Sequence, residues 1–230
     1  MHMARHLDLE EQEQLDELKH FWRQWGNLIT WALIAVFGSF AAYNGWQLWQ
    51  RNQAGQASGL HDEVERAVGG GDVARVQQAF KDMQDKFGGT SHAQQAGLLT
   101  AKVLAEKGTP DEARAALQWV AGKSSDAGYQ AIARLRLAGM LVDTKAYVEA
   151  LKHLDAGFPK EFEALAADRR GDIYNLQGKK NEARAEYTKA WQGMNAEAEY
   201  RSLVEVKLTS LGVDVQTLKP AQPAAESVKS

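Results

Sequence analysis

Cysteine is absent from the 230 residues, and proline occurs only four times. The first absence excludes disulfides and thiolate-bound metal, and it suits an oxidising compartment. The second leaves long stretches open to helix. A basic stripe is missing too. Lys and Arg number 27 against 30 Asp and Glu, a formal net charge of −3, so nucleic acid is a poor partner. Between Arg23 and Arg51 there is no Asp, Glu, Lys or Arg at all.

What fills that gap is apolar. Residues 28–49 read LITWALIAVFGSFAAYNGWQLW. Roughly 20 such residues in a helix rise about 30 Å and cross a bilayer core. Trp22 and Trp25 flank one edge, and Trp46 and Trp49 the other, as two interfacial belts. Trp31 falls inside and is not explained by this. The leading segment carries Asp8, Glu10, Glu11, Glu13, Asp16 and Glu17, whereas a signal peptide starts basic and has a shorter core. The pattern therefore predicts an uncleaved single-pass anchor. Arg5, Lys19 and Arg23 precede it and Arg51 and Arg66 follow, a small excess that favours the N-terminus inside. Within the span, Ala35, Gly38, Ala42 and Gly45 share one stripe, where small residues let another helix approach. Asn44 beside the stripe could hydrogen-bond across it.

The remaining chain, about 180 residues, is enough for one domain with a real core. Helix formers dominate it, and no run reads as strand. It also repeats. Ala101, Leu104, Ala113 and Leu117 recur 37 positions on as Ala138, Leu141, Ala150 and Leu154, then 33 further as Gly171, Tyr174, Ala183 and Tyr187. A fifth place gives Val120, Gly157 and Ala190. Small side chains where two helices cross, with bulky ones filling the grooves beside them, make a helical hairpin.

Gly108 and Gly178 fall at the turn, where a helix end wants a left-handed residue. Lys145 holds that place in the middle unit, which predicts a differently built turn there. Thr109-Pro110-Asp111-Glu112 predicts an N-cap and capping box for the following helix. Upstream, Gly69-Gly70-Gly71-Asp72 separates a stretch over about 57–68 from one bearing Val73, Val76, Phe80, Met83 and Phe87, a degenerate first hairpin. Downstream, Tyr200, Leu203, Val204 and Leu208 predict a capping helix ending at Leu211-Gly212.

No enzyme is expected. His2, His6, His20, His61, His92 and His153 are scattered, and none has a metalloenzyme spacing. Gly-x-Ser-x-Gly is absent. The glycine cluster has neither a following Lys-Ser/Thr nor a preceding strand, so it reads as a turn. No cofactor or metal is predicted.

A period near 34 with this spacing resembles the tetratricopeptide repeat, best in Gly171-x-x-Tyr174-x-x-x-Gly178 and Glu182-Ala183-x-x-x-Tyr187-x-x-Ala190. The usual ending proline is replaced by Asn195, and Ala167 and Arg170 stand where an aromatic and a Leu are common. The acidic leader Asp8-Leu9-Glu10-Glu11-Gln12-Glu13-Gln14-Leu15-Asp16-Glu17-Leu18-Lys19, the Trp-flanked span and the repeats together resemble the ancillary SecYEG translocon subunit (YfgM) family. The resemblance implies a cytoplasmic N-terminus, a periplasmic repeat domain, and association with SecYEG and the anchored chaperone PpiD. It could also imply contact with unfolded secretory clients.

The expected fold is all-α: an acidic cytoplasmic segment (1–24), a transmembrane helix (25–50), a tetratricopeptide-like solenoid (51–212) and a disordered tail (213–230). Solenoids bind along the face built from the first helix of each pair. The repeat register puts Gln95, Leu98, Lys102 and Glu106 there from the first unit. The second supplies Ile132, Leu135 and Asp143, and the third Leu165, Asp168, Asp172 and Asn175. Two other functions compete with a translocon role. One is an envelope scaffold joining wall or division proteins. The other is a regulator holding a cytoplasmic partner through the leader, whose Leu7, Leu15, Leu18 and Trp22 oppose its acids.

Overall fold

The computed structural model describes residues 9–218, with side chains from residue 19 onward. It divides into a first unit ending at Gln53 and a second beginning at Ala54. Among the described residues every regular element is helical.

The first unit is the leading part of α1 (Leu9–Gly70), a helix long and apolar enough to cross a membrane. Its large side chains face outward: Trp31 is 65% exposed, Phe37 and Phe40 67%. Three of its polar side chains bond to their own helix. Thr30 donates to the Gly26 carbonyl, Ser39 to that of Ala35, and Asn44 Nδ2 to that of Phe40 at 2.9 Å. In lipid no water would satisfy such groups, so this internal pairing suits a membrane-spanning helix. The Asn44 amide thus turns inward on its own helix instead of reaching across the stripe. Gly38 and Gly45 leave open space where a Cβ would stand.

The second unit opens with the end of α1 and continues through α2 (Val73–Phe87), α3 (Ser91–Glu106), α4 (Pro110–Lys123), α5 (Ala127–Asp143), α6 (Tyr147–Leu154), α7 (Lys160–Leu176), α8 (Lys180–Gly193) and α9 (Glu199–Ser210). Helices α3/α4, α5/α6 and α7/α8 are the three predicted hairpins, and each also packs on the next. All the small residues of the repeat are buried, from Ala101 and Ala113 to Gly171 and Ala183. The bulky ones are buried too, except Tyr174, which is half-buried. Gly171 shows why small size matters: a Cβ there would stand 2.5 Å from the Tyr187 ring. The fifth place fails in the middle unit. Helix α6 stops at Leu154, so Gly157 lies beyond it at φ +85°, just ahead of Pro159.

The hairpin turns are alike. Gly108, Lys145 and Gly178 all adopt positive φ, at +80°, +59° and +76°. In each, the residue after the left-handed one donates its N–H five positions back: Thr109 to Leu104, Ala146 to Leu141, Lys179 to Tyr174. This is the Schellman closure of a helix end. The prediction of a different turn at Lys145 is therefore corrected: the hydrogen bonds hold the lysine in the strained conformation. The predicted capping box is corrected as well. The Thr109 N–H is already spent on Leu104 O, and its hydroxyl donates to that same carbonyl and accepts from no backbone N–H of α4, so it does not cap the helix. Asp72 and Asp126 do cap α2 and α5, accepting from backbone N–H groups.

Helix α9 ends in a fourth such closure, with Gly212 at φ +79° and Val213 N–H on Leu208 O. It therefore occupies the first-helix position of a further repeat whose second helix shrinks to a 3-10 turn at Val215–Thr217. Val204, Leu208, Leu211 and Val215 are buried with Trp191 and Tyr187, but Leu203, expected on this face, points to solvent. Packing thus continues to Leu218, past the boundary expected at 213, because Val213, Val215 and Leu218 carry apolar surface to the last core cluster. The rest of the predicted tail lies outside the described residues, as do residues 1–8.

Candidate interaction groove

Helices α5 and α7 are the first helices of neighbouring hairpins and lie beside each other. Between them runs a groove of about 690 Å³. Leu135, Val142, Leu165 and Leu176 supply apolar wall, and Ala138, Gly139 and Ile173 keep the floor low. Leu176 is 58% exposed although it belongs to a repeat helix. The polar rim carries Arg136, Asp143, Arg169, Asp172 and Asn175, and Tyr187 and Tyr200 also line the groove.

Five of the predicted binding residues meet here: Leu135, Asp143, Leu165, Asp172 and Asn175. The first-unit residues, and Ile132 of the second unit, do not join them. Leu98, 8% exposed, and the half-buried Ile132 pack in the first core cluster. Gln95 donates to the Tyr129 hydroxyl, and Lys102 pairs with Glu106 at 3.9 Å on an exposed helix face. Asp168 is also misplaced by the repeat register. It is 1% exposed, beneath α9. The register describes an uncapped stack, and α9 covers this position. Arg136, Val142, Arg169, Leu176, Tyr187 and Tyr200 were not predicted. Leu176 had a signal, since it follows Asp172 by one helical turn.

The end of the groove is held by charge. Lys207 Nζ reaches both carboxylate oxygens of Asp168, at 2.7 and 2.9 Å, and Oδ1 of Asp172 at 2.7 Å. The hydroxyls of Tyr200 and Tyr187 donate to Asp168 and Asp172 at 2.7 and 2.8 Å. Burial pushes both phenols above their ordinary range, and donation to the carboxylates pushes them further. On the other side of α7, Arg170 replaces the usual Leu. It donates to Glu186 of α8 and to the Leu154 carbonyl of α6, tying three helices. Burial would raise the Glu186 carboxyl, but hydrogen bonds from Lys189 and Arg170 outweigh it and hold the group below its ordinary value.

An apolar helix able to span a membrane, joined to stacked hairpins with an open groove, defines an anchored α-solenoid. Such folds carry extended binding surfaces. The family described as "Tetratricopeptide repeat-like domain" matches residues 19–213. A relative from Neisseria gonorrhoeae named "Ancillary SecYEG translocon subunit" is 32% identical over 214 residues, covering 91% of this chain and all of its own. Relatives of the same name from Haemophilus influenzae and Escherichia coli are 28% and 26% identical, each over 88% of this chain and 98% and 97% of their own. The chain belongs to this family of tetratricopeptide repeat-like ancillary translocon subunits. No solved structure matches it.

Proposed function

We propose that the protein is an accessory subunit of the SecYEG translocon in a bacterial inner membrane. It acts by binding, through the groove between α5 and α7. The observation that carries this reading is the apolar wall that Leu135, Val142, Leu165 and Leu176 bring together along one open groove, with Leu176 58% exposed. The relatives' shared name supplies the setting. The N-terminus lies in the cytoplasm and the repeat domain in the periplasm, as the slight basic excess before the span and the family resemblance both favour. The groove then receives a segment of the chaperone PpiD or of an emerging secretory chain. The stripe of Ala35, Gly38, Ala42 and Gly45 offers a close approach to another transmembrane helix, and the open space at both glycines supports that role.

Photo-crosslinking from Leu135 and Leu176 in intact cells tests the groove. Adducts with translocon components, PpiD or secretory chains are expected. Adducts confined to wall or division proteins would transfer the protein to the envelope-scaffold role. Replacing Leu165 and Leu176 with Glu is expected to reduce co-purified partner while far-UV dichroism stays normal. Leu98 is unsuitable for such a test because it is core. Protease added to spheroplasts is expected to digest the repeat domain; protection would reverse the orientation.

A further inference from the structure

We propose that His61, Glu65 and His92 form a binding site for a divalent metal of the zinc type, pinning the end of α1 to the start of α3. No sequence spacing announces this site, since His61 and His92 come from separate helices. In the fold their rings lie 5.7 Å apart between centroids, with planes at 62°. Two imidazoles bound to one zinc at about 2.0–2.1 Å in tetrahedral geometry have ring centres about 5–6 Å apart. Glu65 sits one turn after His61, its Oε1 3.7 Å from His61 Nδ1. Two ligand atoms on one tetrahedral zinc are about 3.3–3.4 Å apart, so a small rotamer adjustment brings His61 and Glu65 onto one metal, and His92 joins them by turning its imidazole toward that point.

Asp62 supplies a fourth donor. The ligand atoms of His61, Asp62 and Glu65 all lie within 4.8 Å of one another, and the His92 imidazole stands beside this group and completes it only by swinging in. Among the described residues, neither imidazole has another hydrogen-bond partner, and Arg66 spends its Nε on the Asp62 carbonyl. Imidazole with carboxylate is the donor set that suits zinc and its first-row neighbours. The site also has something to hold. The end of α1 rests on the first core cluster through Ala57, Leu60, Val64 and Val68. A metal would add a cross-link to α3 at the point where the repeat domain begins.

The test uses the full chain in detergent, purified through a histidine-free tag and stripped with a chelator. Zinc is titrated against a fluorescent chelator, and cobalt is followed by its visible absorption. One zinc per chain is expected, with a tetrahedral cobalt spectrum and a melting temperature that rises on zinc addition. His61→Ala and His92→Ala are each expected to loosen zinc at least tenfold, and Glu65→Gln severalfold. Glu65 is exposed, so that variant stays informative if a histidine variant folds poorly. The proposal is overturned by a lack of stoichiometric binding. It is equally overturned if zinc binding survives unchanged in all three variants, including binding that disappears only with His2, His6 and His20.

Discussion

Lys207 of α9 places its ammonium 2.7 Å from Oδ1 of Asp168, a carboxylate of α7 that is only 1% exposed. One cation from the capping helix answers two acids of the preceding repeat, since Asp172 shares it. Breaking a buried ion pair from one side costs about 3–5 kcal/mol, because the remaining charge stays buried and uncompensated. Lys207 keeps 21% of its side chain exposed, which lets water assist. Lys207→Ala is expected to lower stability by about 2 kcal/mol in urea denaturation. Protease cleavage near residue 200 is expected to rise first. A loss within about 0.5 kcal/mol of zero would show that α9 is held by its apolar face alone.

The same cluster sets the alkaline limit. Tyr187 and Tyr200 hold their protons more tightly in the folded state than the ordinary value of 10.0. Their stabilising contribution is therefore complete below about pH 10, where the unfolded phenols are also protonated, and is lost as pH rises beyond it. Denaturation midpoints measured from about pH 8 to 11 are expected to fall above about pH 10. Tyr187→Phe is expected to flatten that fall while lowering stability at neutral pH.

Lys145 occupies a left-handed position that glycine takes in the other hairpin turns. The left-handed conformation costs a side-chain-bearing residue roughly 1–2 kcal/mol, offset in part by glycine's greater freedom when unfolded. Lys145→Gly is thus expected to raise stability by about 0.5–1 kcal/mol. Gly178→Ala is expected to lower it by a similar amount. Paired chemical denaturation curves check both.

Gly171 and Gly139 give a contrast within one architecture. A Cβ at Gly171 would collide with the Tyr187 ring, whereas Gly139 has nothing within 4 Å. Gly171→Ala is expected to cost about 1–3 kcal/mol by overpacking. Gly139→Ala is expected to gain about 0.5–1 kcal/mol from helix propensity. If both variants melt alike, close crossing of α7 and α8 is not what makes residue 171 small.

Membrane attachment rests on the uncharged run before Arg51. An aspartate at the centre of a spanning helix costs about 2.5–3.5 kcal/mol of insertion energy. Phe37→Asp is expected to move a large part of the protein into the carbonate-soluble fraction. Full retention with the membrane would place the anchor elsewhere.

Amphipathic spacing makes the hairpins readable in the chain itself, because a repeated crossing demands small residues at repeated places. Ala101, Ala138 and Gly171 mark those crossings. The span is equally plain, since a bilayer tolerates so few charges. The groove is half readable. Leu135, Leu165 and Asp172 follow from the register, but the register is blind to what covers a face. It does not reveal that α9 buries Asp168, or that Leu98 turns into the core. The turn at Lys145 misleads for a related reason: residue preference describes the average cost of a conformation, and the hydrogen bonds to Val142 and Leu141 override it here.

Local chemistry along the chain was sufficient to decide that this protein is helical, repeated and equipped to cross a membrane. Helix periodicity and apolar length act over a few turns, and a few turns are visible in any stretch of sequence. Packing alone decided which carboxylates face a partner and which face Lys207, where the stack ends, and that His61 meets His92. These depend on distances between residues remote in the chain, which are fixed only when the hairpins close on one another.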